Sequence, residues 1–212
     1  MRLTKYLFLT IFTYGIVLFS PIIFAPFIGS DVQQLIQVTT YTYIAGAFLL
    51  LFYWRKSQPL TLEQNSRSFS STILLGVAGI FLSMILQMIL MQIEIRLTNQ
   101  PLASQNTQDI VQLVRENSVF IIATTVAGPI MEEMVFRRAI FGGLSQRFGF
   151  LLPAIISSLL FAFAHQDGHY LLYSGLGLFF CWLFAHTGKI WTSIITHVGM
   201  NLVVILAQLM LQ

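Results

Sequence analysis

Long apolar runs alternate with short polar breaks along the whole chain. A membrane-crossing helix needs about 20 predominantly apolar residues, and the first such run extends from Tyr6 to Ile28. That is too long for the apolar centre of a signal peptide, about 7–15 residues. Its small-residue candidate, Phe24-Ala25, is followed by Pro26, a poor cleavage context. The run is read as a transmembrane helix bent near Pro21. A second span is expected from about Leu35 to Trp54, polar in its first half and closed by Arg55 and Lys56, with a polar loop from Ser57 to Ser70. A third runs from about Ser71 to Ile93. Arg96 to Glu116 is the one substantial hydrophilic segment, and its end, Asp109 to Glu116, suits a short amphipathic helix at the interface. The fourth span begins near Ser118, the fifth covers about Phe150 to Ala164 and is short, the sixth Tyr170 to Ala185 and the seventh Ile190 to Leu211. The pattern predicts an all-α, polytopic transmembrane helical bundle of about seven spans, with 1–212 as a single membrane domain.

Composition agrees. The chain is 56% hydrophobic and only 9% charged, against about 25% charged in soluble domains. Its net charge of +3 comes from basic residues scattered between apolar spans, which argues against nucleic acid as a partner. The single cysteine, Cys181, excludes an intrachain disulfide and a cysteine metal cluster. With a cytoplasmic N-terminus and seven alternating spans, Arg2, Lys5, Arg55, Lys56, Arg67, Arg137, Arg138, Arg147 and Lys189 fall inside. Only Arg96 and Arg115 of the 11 basic residues then fall outside, as the positive-inside rule requires.

Against this background Gly128-Pro129-Ile130-Met131-Glu132-Glu133-Met134-Val135-Phe136-Arg137-Arg138 stands out. An ionised side chain at the bilayer centre costs roughly 2.5–3.5 kcal/mol, so such residues usually face a polar cavity and serve function. On a helix Glu133 and Arg137 stack on one face within ion-pair reach. Glu132 lies about 100° round from Glu133 and can point elsewhere. The plain alternative is a structural ion pair plus a snorkelling glutamate at a helix end. Pro129 withdraws a backbone donor just before the glutamates, so a kink is expected there. Two later spans carry His165, one turn after Phe161, and His197 with Asn201 on one face. A lone transmembrane histidine is commonly an interhelical hydrogen-bond partner. Glutamate, histidine and amide together suit water activation better than neutral packing.

Other polar features carry less. His165-Gln166-Asp167-Gly168-His169 reads as a polar turn rather than a metal loop. His186 reads as a solvated cap, and Gly175 and Gly177 as a close helix contact. No helix shows two histidines flanking a glutamate. If metal is used, Glu132, His165 and His197 are the ligands a zinc site with an open water position would take. The favoured expectation needs no cofactor, because a glutamate–histidine pair can activate water alone.

Glu132-Glu133-xxx-Arg137, then Phe161-xxx-His165, then His197-xxx-Asn201, in order and each in an apolar helix, resembles the pattern of the CPBP family of intramembrane proteases. That family includes CAAX prenyl-protein endopeptidases and bacterial proteins tied to bacteriocin processing and self-immunity. The resemblance covers about Ser118 to Leu202, a protease-like core at 118–202, while 1–117 contributes spans without a motif. It implies Glu132 as general base aided by His165, His197 and Asn201 as oxyanion holders, and Glu133, Arg137 and Phe161 in support. It implies a membrane-associated protein or peptide substrate in the lipid bilayer; prenylated proteins, peptide pheromones and bacteriocin precursors all fit. Two rival readings are a catalytically silent scaffold or self-immunity protein, and a transporter using the same residues as a proton relay.

Overall fold

In the computed structural model residues 1–29, 31–98 and 104–211 are described, and among them all regular structure is helical. Part of the expected hydrophilic segment, 99–103, lies outside the described residues. The first apolar run is two helices, α1 (Leu3–Leu18) and α2 (Ser20–Ile28), bent by 43°. The break falls just before Pro21, which has no N–H to donate to the carbonyl one turn earlier and whose ring crowds that carbonyl. Ser20 and Thr42 hydroxyls, 2.9 Å apart, link this break to the next helix. That helix, α3 (Val32–Lys56), is capped by Asp31, which accepts from the Gln34 N–H at 3.0 Å, and ends in Arg55 and Lys56. Its polar first half is neutralised locally: Thr39 and Thr40 hydroxyls donate to the carbonyls of Leu35 and Ile36, each at 2.7 Å.

A polar strap holding α4 (Thr61–Gln64) leads to α5 (Phe69–Thr98), longer at both ends than expected. The α5 surface is sorted by size. Gly76, Gly79 and Ser83 face inward, whereas Leu74, Phe81 and Met88 are exposed. This is the sorting lipid imposes, since apolar side chains gain nothing by leaving hydrocarbon and small residues let backbones approach. Thr196 uses that closeness, donating to the Gly76 carbonyl at 2.9 Å. Helix α6 (Gln105–Glu116) starts earlier than expected because Ser104 caps it, accepting from the Thr107 N–H at 3.2 Å.

The expected fourth span is a mixed helical run: α7 (Phe120–Ile122), a π-helical segment (Ala123–Ala127), α8 (Gly128–Glu132), a second π segment (Glu133–Phe141) and α9 (Gly142–Phe148). The disturbance expected at Pro129 takes the form of π turns, a common device at functional sites. Across residues 123–142 most are buried and none is exposed, so this stretch need not present a lipid-length apolar surface. Next come α10 (Leu151–His165), α11 (Tyr170–Thr187) and α12 (Ile190–Leu211). By length and apolarity α3, α5, α11 and α12 can cross a membrane, and the bent pair α1–α2 makes a fifth candidate. The other two expected crossings correspond to the mixed run and to the 15-residue α10, about 22 Å long against a hydrocarbon core of about 30 Å.

Helix α10 packs on α11, α5 on α11 and α12, and the second π segment between α1 and α10. Gly177 lies directly against Ser158 and Gly175 against Leu90, the close contact their spacing suggested. One end of the bundle is tied together by polar contacts. The Gln58 N–H donates to the Met1 carbonyl at 3.1 Å, the Arg67 N–H to that of Thr187 at 2.8 Å, and the Thr61 hydroxyl to the Gln146 side chain at 2.6 Å.

Candidate active site

The second π segment begins where the two adjacent glutamates part company. Glu133 is wholly buried, with Oε1 3.5 Å from Arg137 Nη1 and 2.9 Å from His197 Nδ1. Arg137, also wholly buried, has its guanidinium carbon 4.0 Å from the Phe161 ring centroid, 5.0 Å from that of Phe180 and 5.9 Å from that of Phe136. Three aromatic faces and one carboxylate therefore hold this charge where water does not reach, as cation–π attraction permits in a desolvated place. Phe161 thus belongs in the motif for a physical reason. It bridges the arginine to both histidines, its centroid 4.5 Å from the ring of His165 and 5.8 Å from that of His197.

Glu132 turns the other way and stays 20% exposed. It faces a cavity of about 400 Å³ that His165 and Asn201 also line. The walls are largely apolar and come from α1, α2, α3, α6 and α7, with Tyr14, Tyr43 and Thr124 as polar points and Asp109 at the rim. A smaller neighbouring cavity is lined by His165, His197 and Asn201. His197 stands between the glutamates: its Nε2 is 3.6 Å from Glu132 while Nδ1 meets Glu133. Phe180 stacks on its ring at 4.8 Å.

His165 closes α10. Its Nδ1 lies 2.8 Å from the Phe161 carbonyl, and a carbonyl only accepts, so Nδ1 carries the proton and Nε2 is the nitrogen left for chemistry. Tyr173 stacks on the imidazole at 3.8 Å with the planes 23° apart. Of the seven residues singled out by the sequence, Glu132, Phe161, His165, His197 and Asn201 line one or both of these adjoining cavities, while Glu133 and Arg137 lie buried behind them. Among the described residues no group of three His, Cys, Asp or Glu side chains is placed to hold a metal ion.

Sequence reasoning missed two clusters. Arg138 makes a two-point contact with Glu63, Nε to Oε1 at 2.8 Å and Nη2 to Oε2 at 2.9 Å, and its guanidinium sits 4.5 Å from the Tyr6 ring. The other lies beyond His165. Buried Glu94 accepts from the Leu171 N–H at 2.6 Å and meets His169 Nδ1 at 3.2 Å, while Asp167 gathers Ser104, Tyr173 and the His169 N–H. The signal for Glu94 was present, since it is the lone acid of a thirty-residue apolar helix. Ending that span at Ile93 hid it.

A family model described as type II CAAX prenyl endopeptidase Rce1-like matches residues 115–203, the segment holding this constellation. YdiL of Bacillus subtilis (strain 168), a candidate membrane peptidase by name, is 35% identical over 170 residues, covering 79% of this chain and 70% of its own length. MroQ of Staphylococcus aureus (strain USA300), named a membrane-embedded CAAX protease, is 28% identical over 218 residues, covering 95% of this chain and 88% of its own. No solved structure gives a significant match. With its helical bundle and membrane-length apolar helices, the chain belongs to the CPBP family of CAAX-type proteases as a multi-pass membrane protein.

Proposed function

We propose that this protein is an intramembrane endopeptidase that hydrolyses a peptide bond of a membrane-associated protein or peptide with a water activated by Glu132 and His165. The observation that carries the reading is the inequality of the adjacent glutamates: Glu133 is sealed, whereas Glu132 opens into the cavity that also receives His165 and Asn201. Glu132 takes a proton from the water as its oxygen bonds to the scissile carbonyl carbon. The negative charge that develops on the carbonyl oxygen falls to donors on one face of α12, the Asn201 side-chain N–H and, with Nδ1 already donating to Glu133, the Nε2–H of a doubly protonated His197. As the carbon–nitrogen bond breaks, the proton held by Glu132 passes to the leaving amine. Glu133 and Arg137 touch no substrate in this scheme and fix His197 and the backbone of the second π segment. No step is routed through a metal.

The test compares membrane proteins and peptides in cells carrying the wild type and Glu132→Ala. Species that accumulate uncut only in the variant identify the substrate; identical profiles would favour the silent scaffold or self-immunity reading. Metal analysis of purified protein belongs beside it. Activity is expected to survive exhaustive chelation; stoichiometric zinc lost in both His165→Ala and His197→Ala, with activity restored only by added metal, would replace the metal-free scheme.

A further inference from the structure

The proposed base pair leaves one geometric question: what holds the His165 ring at the cavity. The imidazole is the last side chain of α10, followed at once by Gln166 in a left-handed conformation (φ 53°), so the helix beyond gives it no support. Its hydrogen bond to the Phe161 carbonyl fixes one nitrogen but leaves the ring free to tilt about that bond. The missing constraint comes from α11. The Tyr173 ring lies on the imidazole, centroids 3.8 Å apart and planes 23° apart, while Phe161 meets the same imidazole edge-on at 71°. Two flat surfaces nearly perpendicular to each other define one ring orientation.

Tyr173 is itself anchored at its far end. Its hydroxyl donates to Asp167 Oδ2 at 2.9 Å, and the Ser104 hydroxyl donates to the same oxygen at 2.6 Å. Asp167 is held from its other oxygen by the His169 N–H at 3.2 Å. Ser104 is also the cap of α6, the helix that walls the larger cavity with Asn106, Asp109, Ile110 and Leu113. Tyr173 and Ser104 are buried, so these contacts form where water competes little and charge-assisted hydrogen bonds are strong.

We infer that Tyr173 is a positioning residue for His165, with Asp167 and the Ser104 cap of α6 holding Tyr173 in place. The inference rests on the proposed role of His165, but the stacking is measurable without any substrate. A tyrosine merely filling space would not need a half-buried carboxylate and a helix cap on its hydroxyl. The arrangement also ties the ring to the cavity wall, because α6 cannot swing away at its N-terminus without releasing Asp167.

The experiment uses the full-length protein in detergent micelles, isotope-labelled on its histidines, with the His165 signals assigned by their loss in His165→Gln. In the wild type the His165 ring protons are expected to be displaced upfield by the stacked tyrosine, with the Nδ1-protonated tautomer dominant. Tyr173→Leu is expected to abolish the displacement while the His186 and His197 signals stay in place. Tyr173→Phe should retain the displacement because the ring remains, and Asp167→Asn should reduce it. Should Tyr173→Leu fail to fold, the last two variants carry the comparison. On the substrate that accumulates in the Glu132→Ala cells, Tyr173→Leu should lower kcat about tenfold or more with little change in KM, as misplacement of a reacting group does. Unmoved His165 signals in Tyr173→Leu, or in Asp167→Asn if Leu does not fold, would overturn the inference. So would equal movement of all four histidines, which would mean general loosening. Displaced His165 signals together with an active Glu132→Gln protein would instead leave the stacking intact and overturn the proposed chemistry.

Discussion

Glu132 and Glu133 are one peptide bond apart and both approach His197, yet only Glu132 reaches the cavity. The buried one has an arginine and a histidine within 3.5 Å; the other borders a cavity. Glu132→Gln should therefore leave the fold intact and lower turnover at least about 100-fold, the scale of general-base assistance, measured as cleavage by equal amounts of folded protein. Glu133→Gln leaves Arg137 buried without its counter-charge, a loss of about 3–5 kcal/mol that should appear as a lower Tm in detergent. Full activity in Glu132→Gln would end the water-activation scheme. Arg137 supports a sharper comparison. Its flat guanidinium lies among three phenylalanine rings, a fit that a compact, strongly hydrated ammonium does not reproduce. Arg137→Lys should thus cost about 2 kcal/mol despite the conserved charge, and a variant as stable as the wild type would show that charge alone matters.

At the scale of elements, the site depends on helices brought unusually close. Gly177 of α11 lies against Ser158 of α10, and a larger side chain there must push the two helices apart. Gly177→Val should lower Tm and weaken the Tyr173–His165 contact further along the same pair, visible as a changed His165 signal; Gly175→Ala, which meets only the flexible end of Leu90, should be milder. Equal effects would mean that the α10–α11 contact does not set the ring. This contact was legible in the sequence, as were the late helices and the carboxylate, histidine and amide positions, because periodicity places residues on faces. What periodicity does not give is the partner of each face. Hence His197 was expected beside Asn201 but not between the two glutamates. The π segments were hidden for a related reason: Pro129 announces a disturbed ladder, but whether the chain kinks or widens is decided by what packs around it. Arg138, counted as an inner surface cation, is instead buried and paired with Glu63, a contact across 75 residues that no local pattern shows.

For the molecule as a whole, two differently built ends sort the chain in the membrane. At one end Met1, the strap around α4, α9 and the α11–α12 turn are joined by the Gln58–Met1, Arg67–Thr187, Thr61–Gln146 and Arg138–Glu63 contacts. At the other, buried Glu94, Ser104 and His169 and half-buried Asp167 form the polar cluster around the start of α6 and α11. Of the nine basic residues assigned to the inner side by sequence, Arg137 and Arg138 are buried and contribute little to surface charge. Nine less two still leaves seven at the first end, against Arg96 and Arg115 at the second. The positive-inside rule weighs such loop cations, and on it the first end is expected in the cytoplasm. Single cysteines in a Cys181→Ser background can test this at exposed positions, Asn65 on the strap and Ser118 just after α6. In intact cells an impermeant maleimide should label Ser118→Cys and spare Asn65→Cys, and opening the cells should make Asn65→Cys reactive. Labelling of both in intact cells would mean that α5 does not carry the chain across the membrane between the strap and α6, and the alternation behind the seven-span reading would fail at its third span. Reactivity of Asn65→Cys alone would invert the whole bundle, setting the polar cluster around Asp167 on the cytoplasmic side.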